Sequence, residues 1–261
     1  MQSEVHMRAA FASAYAALGA PKGLAATDHT QLAMLLDSIE AQLPDAPYSV
    51  VPTSFDPHDD GLRAFPRSLE TRWTSAENFF LNVGARGIMM RLPLFWQMEP
   101  LLFAAGQMAG APLFVCDQSN MPLGAAAIRT AHMDTVVTDA GDAFAFSDYL
   151  VLTGAVAPKA WLVVHAFDAH SWDTPAALVD ARLAQEVHLF PGIPVLASCE
   201  RAPKVGAGFH ACNDYRVDIN ETARLTSIND EDPLPLLNYD TEVPLAASGT
   251  CICGREIFVR A

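Results

Sequence analysis

The chain has 261 residues, of which 51% are hydrophobic, so it is long enough to bury a substantial core. Its 30 acidic and 16 basic residues give a formal net charge of −14, which disfavours binding to nucleic acid and to anionic membrane surfaces. No apolar run reaches the about 18 residues that a membrane span needs, and the first residues lack a signal-peptide pattern. The odd count of five cysteines argues against a secreted disulfide framework, so we expect a cytoplasmic protein.

The predicted elements alternate between helix and strand over most of the chain. Apolar residues at helical spacing predict helices at 5–20, 30–43, 69–83, 98–108, 123–130, 143–152 and 174–185. Short apolar runs predict strands at 48–52, 87–92, 111–116, 135–138, 160–166, 187–190, 215–220 and 224–228, and a polar stretch predicts a loop at 55–66. Strands separated by helices of about ten residues predict a mostly parallel, doubly wound α/β sheet.

The helical pattern ends near residue 206, and short strands between turns follow it. We therefore divide the chain into three parts: a helical N-terminal region at 1–52, an α/β core at 53–205 and a small β-rich subdomain at 206–261.

Two segments near the end of the chain carry a family resemblance. Residues 235–243 (PLLNYDTEV) and 251–255 (CICGR) resemble the end of the large domain in the phenylacetate-CoA ligase family of adenylate-forming enzymes. Residues 70–87, 100–111 and 208–220 are also similar to motifs of that family. The resemblance implies the fold of a ligase large domain. The family's small domain with the catalytic lysine would follow, so we expect a ligase body without its lid.

The phosphate loop of the family falls on residues 53–61 (TSFDPHDDG). Phe55 replaces a glycine there, Pro57 lacks an amide donor, and three aspartates stand where phosphates would bind. The substitutions disfavour the binding of an anion at this loop.

The other nucleotide contacts implied by the resemblance are replaced as well. Asn238 stands for an arginine, Glu242 for a glycine and Val243 for the aspartate that holds the ribose. The adenine and Mg²⁺ motif falls on residues 190–194, which contain no carboxylate. We therefore expect neither ATP nor Mg²⁺ as a cofactor.

Four potential metal ligands stand where zinc-bearing members of the family place a Cys/His/Cys/Cys site: Cys199, His210, Cys251 and Cys253. Three thiolates and an imidazole suit a tetrahedral, structural Zn²⁺. Cys212 is the rival ligand. In the alternative interpretation Cys199 is a core residue and the other two cysteines are free thiols.

A second polar group follows the strand predicted at 160–166, at the edge where α/β sheets bind ligands. The possible pocket comprises His165, Asp168, His170, Phe190 and Pro191. The cluster from His165 to Asp173 either lines a remodelled pocket or caps the next helix through Ser171 or Asp173, and both interpretations remain open.

His132 and Asp134, with His188 or His170 as a third ligand, have the spacing of the facial triad of non-haem iron oxygenases. The alternative is a residue that caps a helix end and one that begins a strand. Three further aspartates are predicted to be solvated residues at a helix start: Asp139, Asp142 and Asp148.

These features predict a catalytically degenerate, zinc-stabilised protein similar to adenylate-forming ligases. We expect it to bind an acyl or aryl small molecule or a partner protein within a pathway complex. One alternative is an acyl- or aryl-CoA ligase-type subunit whose lid domain lies on another chain, and a second is an iron oxygenase. Because no lid covers the cleft near Phe190 and Pro191, we also expect a homo-oligomer or a protein partner.

Overall fold

The computed structural model describes a defined part of the chain, namely residues 48–52, 62–66, 74–92, 99–166, 183–190, 193–199, 201, 208–212, 215–228 and 236–261. Several predictions fall outside these residues: the helices at 5–20 and 30–43, the phosphate-loop segment 53–61, and Asp168, His170 and Pro191. None of the helices within the described ranges combines the length and apolar character that a membrane crossing requires.

The structure contains four helices and fourteen strands within the described ranges. The helices are α1 Thr74–Val83, α2 Glu99–Ala109, α3 Met121–Ala131 and α4 Ala140–Thr153. The strands are β1 Tyr48–Pro52, β2 Leu62–Pro66, β3 Ile88–Arg91, β4 Leu113–Val115, β5 Thr135–Asp139, β6 Ala160–Ala166, β7 Ala184–Phe190, β8 Ile193–Ser198, β9 Phe209–Ala211, β10 Tyr215–Asn220, β11 Thr222–Ser227, β12 Tyr239–Asp240, β13 Leu245–Thr250 and β14 Glu256–Arg260.

Nine of the strands form one mixed sheet in the order β13-β14-β9-β8-β7-β6-β5-β3-β4. Strands β4, β3, β5, β6 and β7 are parallel, and the remaining four pair antiparallel. Strands β10, β11 and β12 form a separate antiparallel sheet, and β1 pairs with β2 in a third. The predicted α/β fold with a small β-rich C-terminal part is confirmed.

The large sheet has an apolar core on each face. On one face α1 and α2 cover the sheet through side chains such as Phe80 and Leu102, which are fully buried. On the other face α3 and α4 contribute Ile128 and Phe146, which lie in one cluster with Trp161 of β6. Burial on both faces explains why the parallel strands appear in the sequence as nearly continuous apolar runs.

The helix ends follow from local chemistry. Gly84 ends α1 at a φ of 58°, which agrees with the predicted end of this helix. Asp139 caps the start of α4 by accepting a hydrogen bond from the amide of Asp142 at 3.0 Å, and Gly154 caps its end at a φ of 64°. The parallel pairing of β3 with β4 and with β5 places the carboxyl ends of these strands at one edge of the sheet.

Two predicted boundaries are wrong. Residues 62–66 of the predicted loop form β2, which pairs with β1 in a hairpin. The predicted helix at 174–185 overlaps the start of β7 at Ala184 and Gln185. Both side chains are buried in the sheet, and Gln185 donates to the carbonyl of Ser198 at 2.8 Å. Five further short strands were not predicted: β8, β9, β12, β13 and β14.

Candidate metal centre

The four predicted metal ligands converge on one face at the antiparallel side of the large sheet. Cys199 follows β8 directly, and His210 lies in β9, where its register partner is Ala197. Side chains two residues apart in a strand share a face, so Cys199 lies on the same side as His210. Cys251 and Cys253 lie on the turn between β13 and β14, and β14 pairs with β9.

The ligand atoms form a compact set. One atom from each of Cys199, His210, Cys251 and Cys253 lies within 4.8 Å of the other three. Cys212, the rival ligand, lies outside this group. None of the five cysteines forms a disulfide. The residue types and the spacing are compatible with a metal ion bound by three sulfurs and one nitrogen.

The orientation of the His210 ring suits metal binding. Its Nδ1 lies 2.6 Å from the carbonyl oxygen of Glu256, which can only accept, so Nδ1 carries the proton and donates. The lone pair of Nε2 then faces the cysteines, with Cys253 Sγ at 3.5 Å. A carbonyl that fixes the tautomer through the other ring nitrogen is the usual support for a metal-binding histidine.

The turn that carries Cys251 and Cys253 is closed by its own backbone. The amide of Gly254 donates to the carbonyl of Cys251 at 2.9 Å, and the amide of Cys251 donates to the carbonyl of Arg255 at 2.8 Å. Gly254 has a φ of 87°, a conformation that favours glycine. The tight turn brings two cysteines that are two residues apart to the same centre.

The thiol of Cys253 is prepared for metal binding. Hydrogen bonds from the backbone of Arg255, and with a smaller effect from its side chain, lower the pKa of Cys253 to about 7. The thiolate is the form that binds a metal. Four protein ligands leave no open position, which is the arrangement of a structural rather than a catalytic zinc site.

The predicted pocket residues have different environments. His165 is buried in β6, where its Nε2 lies 3.3 Å from Oε1 of Glu186 and its ring stacks on His188 at 4.7 Å. Phe209 packs against the other side of His188, edge to face at 4.6 Å. Phe190 is the last residue of β7. Of the five pocket residues, only the side chain of His165 is described.

His132 and Asp134 have local structural roles. His132 caps the end of α3 in the left-handed conformation, with a φ of 55°. Asp134 Oδ1 accepts a hydrogen bond from the amide of Arg86 at 3.0 Å. Among the residues that the structure describes, the only group of three or more side chains with metal-ligand spacing is the cysteine–histidine cluster. The capping interpretation of this pair therefore holds.

A buried arginine that was not singled out in the sequence occupies the switch point of the sheet. The chain passes from β3 to β4 on one side and then to β5 on the other, so the strand order reverses at β3. Arg91, the last residue of β3, donates from Nε and Nη2 to the two carboxylate oxygens of Asp142 at 2.9 and 2.8 Å. Its guanidinium also lies 4.1 Å from the ring centroid of Phe146.

The loop after β4 completes this cluster. Arg91 Nη2 donates to the carbonyl of Gln118 at 2.7 Å, and Gln118 Nε2 donates to the carbonyl of Arg91 at 2.6 Å and to Asp139 Oδ2 at 2.5 Å. The prediction that Asp142 is solvated is wrong, because it is buried beside Arg91. Asp148 is exposed, as expected. Internal hydrogen bonds thus fill the place at which open α/β sheets bind ligands.

The described part of the segment that resembles a nucleotide motif, residues 236–243, has a buried Val243 and an exposed Glu242. Val243 is 0% exposed, and Glu242 and Asn238 adopt left-handed conformations with φ of 60° and 47°. Asp240 accepts hydrogen bonds from Thr222 Oγ1 at 2.7 Å and from the amide of Glu242 at 3.0 Å. These bonds tie the segment to β11 rather than to an open cleft.

Comparisons with known proteins identify the fold. An acyl-CoA synthetase (AMP-forming)/AMP-acid ligase II-like protein from Dyadobacter fermentans superposes with a TM-score of 0.50 at 12% identity, over 92% of this chain and 65% of its own. An o-succinylbenzoate CoA synthetase double mutant from Bacillus subtilis, bound to a product analogue, gives 0.51 at 10% identity, over 76% and 46%. The unliganded form of the Bacillus enzyme gives 0.50 at 11% identity, over 81% and 50%.

The fold is that of an adenylate-forming ligase domain. The chain spans less than two thirds of the length of the ligases that it matches. No protein-family model matches the chain, and no curated protein matches it in sequence. At 10 to 12% identity the likeness to adenylate-forming ligases extends to the fold alone.

Proposed function

We propose that this chain is a zinc-stabilised, catalytically degenerate relative of adenylate-forming ligases of the phenylacetate-CoA ligase type. It acts in the cytoplasm as a component of a pathway complex, where it binds a partner protein or an acyl or aryl molecule. The observation that carries the proposal is the convergence of Cys199, His210, Cys251 and Cys253 at one centre in a chain whose Val243, at the position of the ribose-binding aspartate of the resemblance, is buried.

The metal has a structural role in this proposal. Its ligands come from the end of β8, from β9 and from the β13–β14 turn, so one ion joins three segments that are distant in sequence. The residues around it form short strands, and a bound ion adds its binding free energy to folding. Zn²⁺ is the ion that a set of three thiolates and one imidazole favours.

The loss of nucleotide binding follows from the positions of three residues. A valine that is fully buried cannot hydrogen-bond a ribose, and Val243 stands where the resemblance places the ribose-binding aspartate. Glu242 holds a left-handed backbone, with a φ of 60°, and adds an exposed carboxylate at the position where the resemblance places a glycine beside the ribose-binding aspartate. Arg91 is neutralised by Asp142 and offers no cation to an anionic ligand.

Apolar surface supports the binding of a partner. The inward side of α4 carries Phe146 and Leu150, while Phe144, Val151 and Leu152 on its other sides are exposed. The exposed side of α4 thus combines three large apolar side chains with Asp148, and such an apolar patch often marks a contact site. A partner protein or a second copy that covers α4 would remove these side chains from water.

Metal content tests the first half of the proposal. We expect about one Zn²⁺ per chain in freshly purified protein by elemental analysis, as a four-ligand site requires. Cys253→Ser removes one ligand and is expected to lose the zinc, whereas Cys212→Ser, which changes a cysteine outside the cluster, is expected to keep it. Protein without zinc contradicts the proposal, and iron in its place favours an oxygenase.

Nucleotide binding tests the second half. We expect no rise in melting temperature when ATP and Mg²⁺ are added at millimolar concentration, because a ligand stabilises only through its affinity for the folded state. An ATP-dependent rise, or formation of an acyl-adenylate, contradicts the proposal. Either result would favour a ligase subunit that is completed by a lid on another chain.

A further inference from the structure

We propose that the Cys251–Cys253 turn is an oxidation site at which a peroxide joins the two thiolates in a disulfide and expels the metal. The proposal rests on the metal site proposed above and extends it, because the ion then acts as a removable clip on the C-terminal hairpin. Three features carry it: the unequal exposure of the ligands, the geometry of the turn and the small interface between β14 and β9.

The four ligands differ in their access to solvent. Cys199 and His210 are 6% and 2% exposed, whereas Cys251 and Cys253 are both half-buried. Ile252, between the two cysteines, is 83% exposed and shows that the turn projects into solvent. A small oxidant therefore reaches the two turn cysteines before it reaches Cys199.

The chemistry needs one peroxide and no other reactant. One thiolate attacks hydrogen peroxide, the O–O bond breaks, and the sulfur becomes a sulfenic acid while hydroxide leaves. The second thiolate attacks this sulfur, an S–S bond forms, and a second hydroxide leaves. Two sulfurs lose two electrons in total and the peroxide gains them. A disulfide sulfur is a poor ligand, so the ion loses two of its four ligands in one reaction.

The turn favours this pair of cysteines. Cys251 and Cys253 lie on the same short turn, with their sulfurs within 4.8 Å of each other. The hydrogen bonds that close the turn are formed by the backbone of Cys251, Gly254 and Arg255 and do not depend on the ion. Closure of the disulfide thus needs a movement of two side chains within a turn that is already formed, whereas a bond to Cys199 would join two separate segments.

Release of the ion weakens the attachment of the hairpin. Strand β14 pairs with β9 through a single register pair, Phe258 with Phe209, and both side chains are buried. Gly208 lies directly under Ile257, close enough that a Cβ atom would collide with it. The hydrogen bond between His210 Nδ1 and the carbonyl of Glu256 is a second link, and the metal would join the tip of the hairpin, through Cys251 and Cys253, to His210 and Cys199. Oxidation is therefore expected to loosen residues 245–260 and to expose Phe209 and Phe258.

The test uses the full-length, zinc-loaded protein and hydrogen peroxide as the probe. Zinc release is followed with a chromogenic chelator, the disulfide is located by peptide mapping without reduction, and hydrogen exchange is compared before and after oxidation. We expect loss of all bound zinc, a disulfide between Cys251 and Cys253, and faster exchange confined to residues 208–211 and 245–260. A thiol reductant with added zinc is expected to reverse all three changes.

The Cys212→Ser protein is the matched control, and it is expected to release zinc as the unmodified protein does. Zinc that stays bound while Cys212 becomes oxidised overturns the inference, and so does a disulfide that joins Cys199 to either turn cysteine. Zinc release without faster exchange in 245–260 contradicts the role of the ion as a clip. Protein that contains no zinc before peroxide is added refutes the proposed metal site itself, so the two failures are distinguishable.

Discussion

An Arg91→Met substitution removes the guanidinium from the switch point and leaves a side chain of similar length. Asp142 then keeps one close donor, Thr138 Oγ1 at 2.6 Å, in place of the three that surround it now. The carbonyl of Gln118 loses its charged donor, and Phe146 loses the cation above its ring. The variant therefore leaves a carboxylate buried without its counter-ion.

The expected loss is large because Arg91 is 0% exposed. Removal of one partner of a buried ion pair typically costs about 3–5 kcal/mol of unfolding free energy. The double variant Arg91→Met/Asp142→Leu leaves no buried charge without a partner. Replacement of a buried ion pair by apolar side chains often changes the free energy of unfolding little. We expect the double variant to lose less than the sum of the two single variants by about 2 kcal/mol.

Urea unfolding followed by circular dichroism measures these free energies of unfolding. The comparison requires that the dependence of unfolding free energy on urea concentration is the same in all variants. The matched control is Arg216→Met, which breaks an arginine–aspartate pair of 2.7 Å with Asp218. That pair is 57% and 48% exposed, so a change within about 1 kcal/mol is expected. A loss of under about 1 kcal/mol of unfolding free energy for Arg91→Met would refute the role given to the Arg91–Asp142 pair. Single-variant losses that simply add up in the double variant would refute it as well.

Three further predictions concern the C-terminal part. Gly208→Ala adds a Cβ against Ile257 at a φ of 91°, so we expect lower zinc retention and a lower melting temperature, measured against Ala247→Gly as a control. In metal-free protein the pKa of Cys253 is lower in the folded state than in the unfolded state, so the unfolded state holds more protons between pH about 7 and about 8.5. We therefore expect the free energy of unfolding to rise with pH across this window, and Cys253→Ser to abolish the rise. Burial, with smaller effects of Glu242 and Asp240, raises the pKa of Tyr239 to about 12. We therefore expect the free energy of unfolding to fall between pH about 10 and about 12, and Tyr239→Phe to reduce this pH dependence.

The parallel part of the sheet was predictable because its signals are local. Strands buried on both faces appear as apolar runs, and the strand at 160–166 agrees with β6 at both ends. Gly84 marks the end of α1 through a conformation that glycine adopts at low cost. Alternation of such runs with amphipathic helices was enough to predict the α/β class.

The buried ion pair was not predictable in the same way. Arg91 and Asp142 lie 51 residues apart, and each has an ordinary local explanation, as a strand end and as a helix start. Their contact depends on β3 and β5 being neighbours in the sheet, which the order of the elements along the chain does not specify. Polar groups that pair over a long sequence distance thus cannot be predicted from sequence patterns, because such patterns depend only on residues that are close in sequence.

The metal ligands stand between these two cases. Their residue types and the family resemblance pointed to the four side chains, but short strands such as β9 and β14 leave almost no periodic signal. The distinction between Cys199 and Cys212 came from the positions of their sulfurs, because only Cys199 lies in the group of ligand atoms, and the tautomer of His210 came from the carbonyl of Glu256. Both facts belong to tertiary structure.

The two borders of the nine-stranded sheet limit how copies of this protein meet. At one border β4 has only three residues, and at the other the pairing of β13 shifts register between Ala247 and Thr250, beside Gly249 at a φ of 106°. Short and bulged border strands offer a poor template for further strands. Among the strands that the structure describes, these borders therefore disfavour the addition of a strand from a second copy.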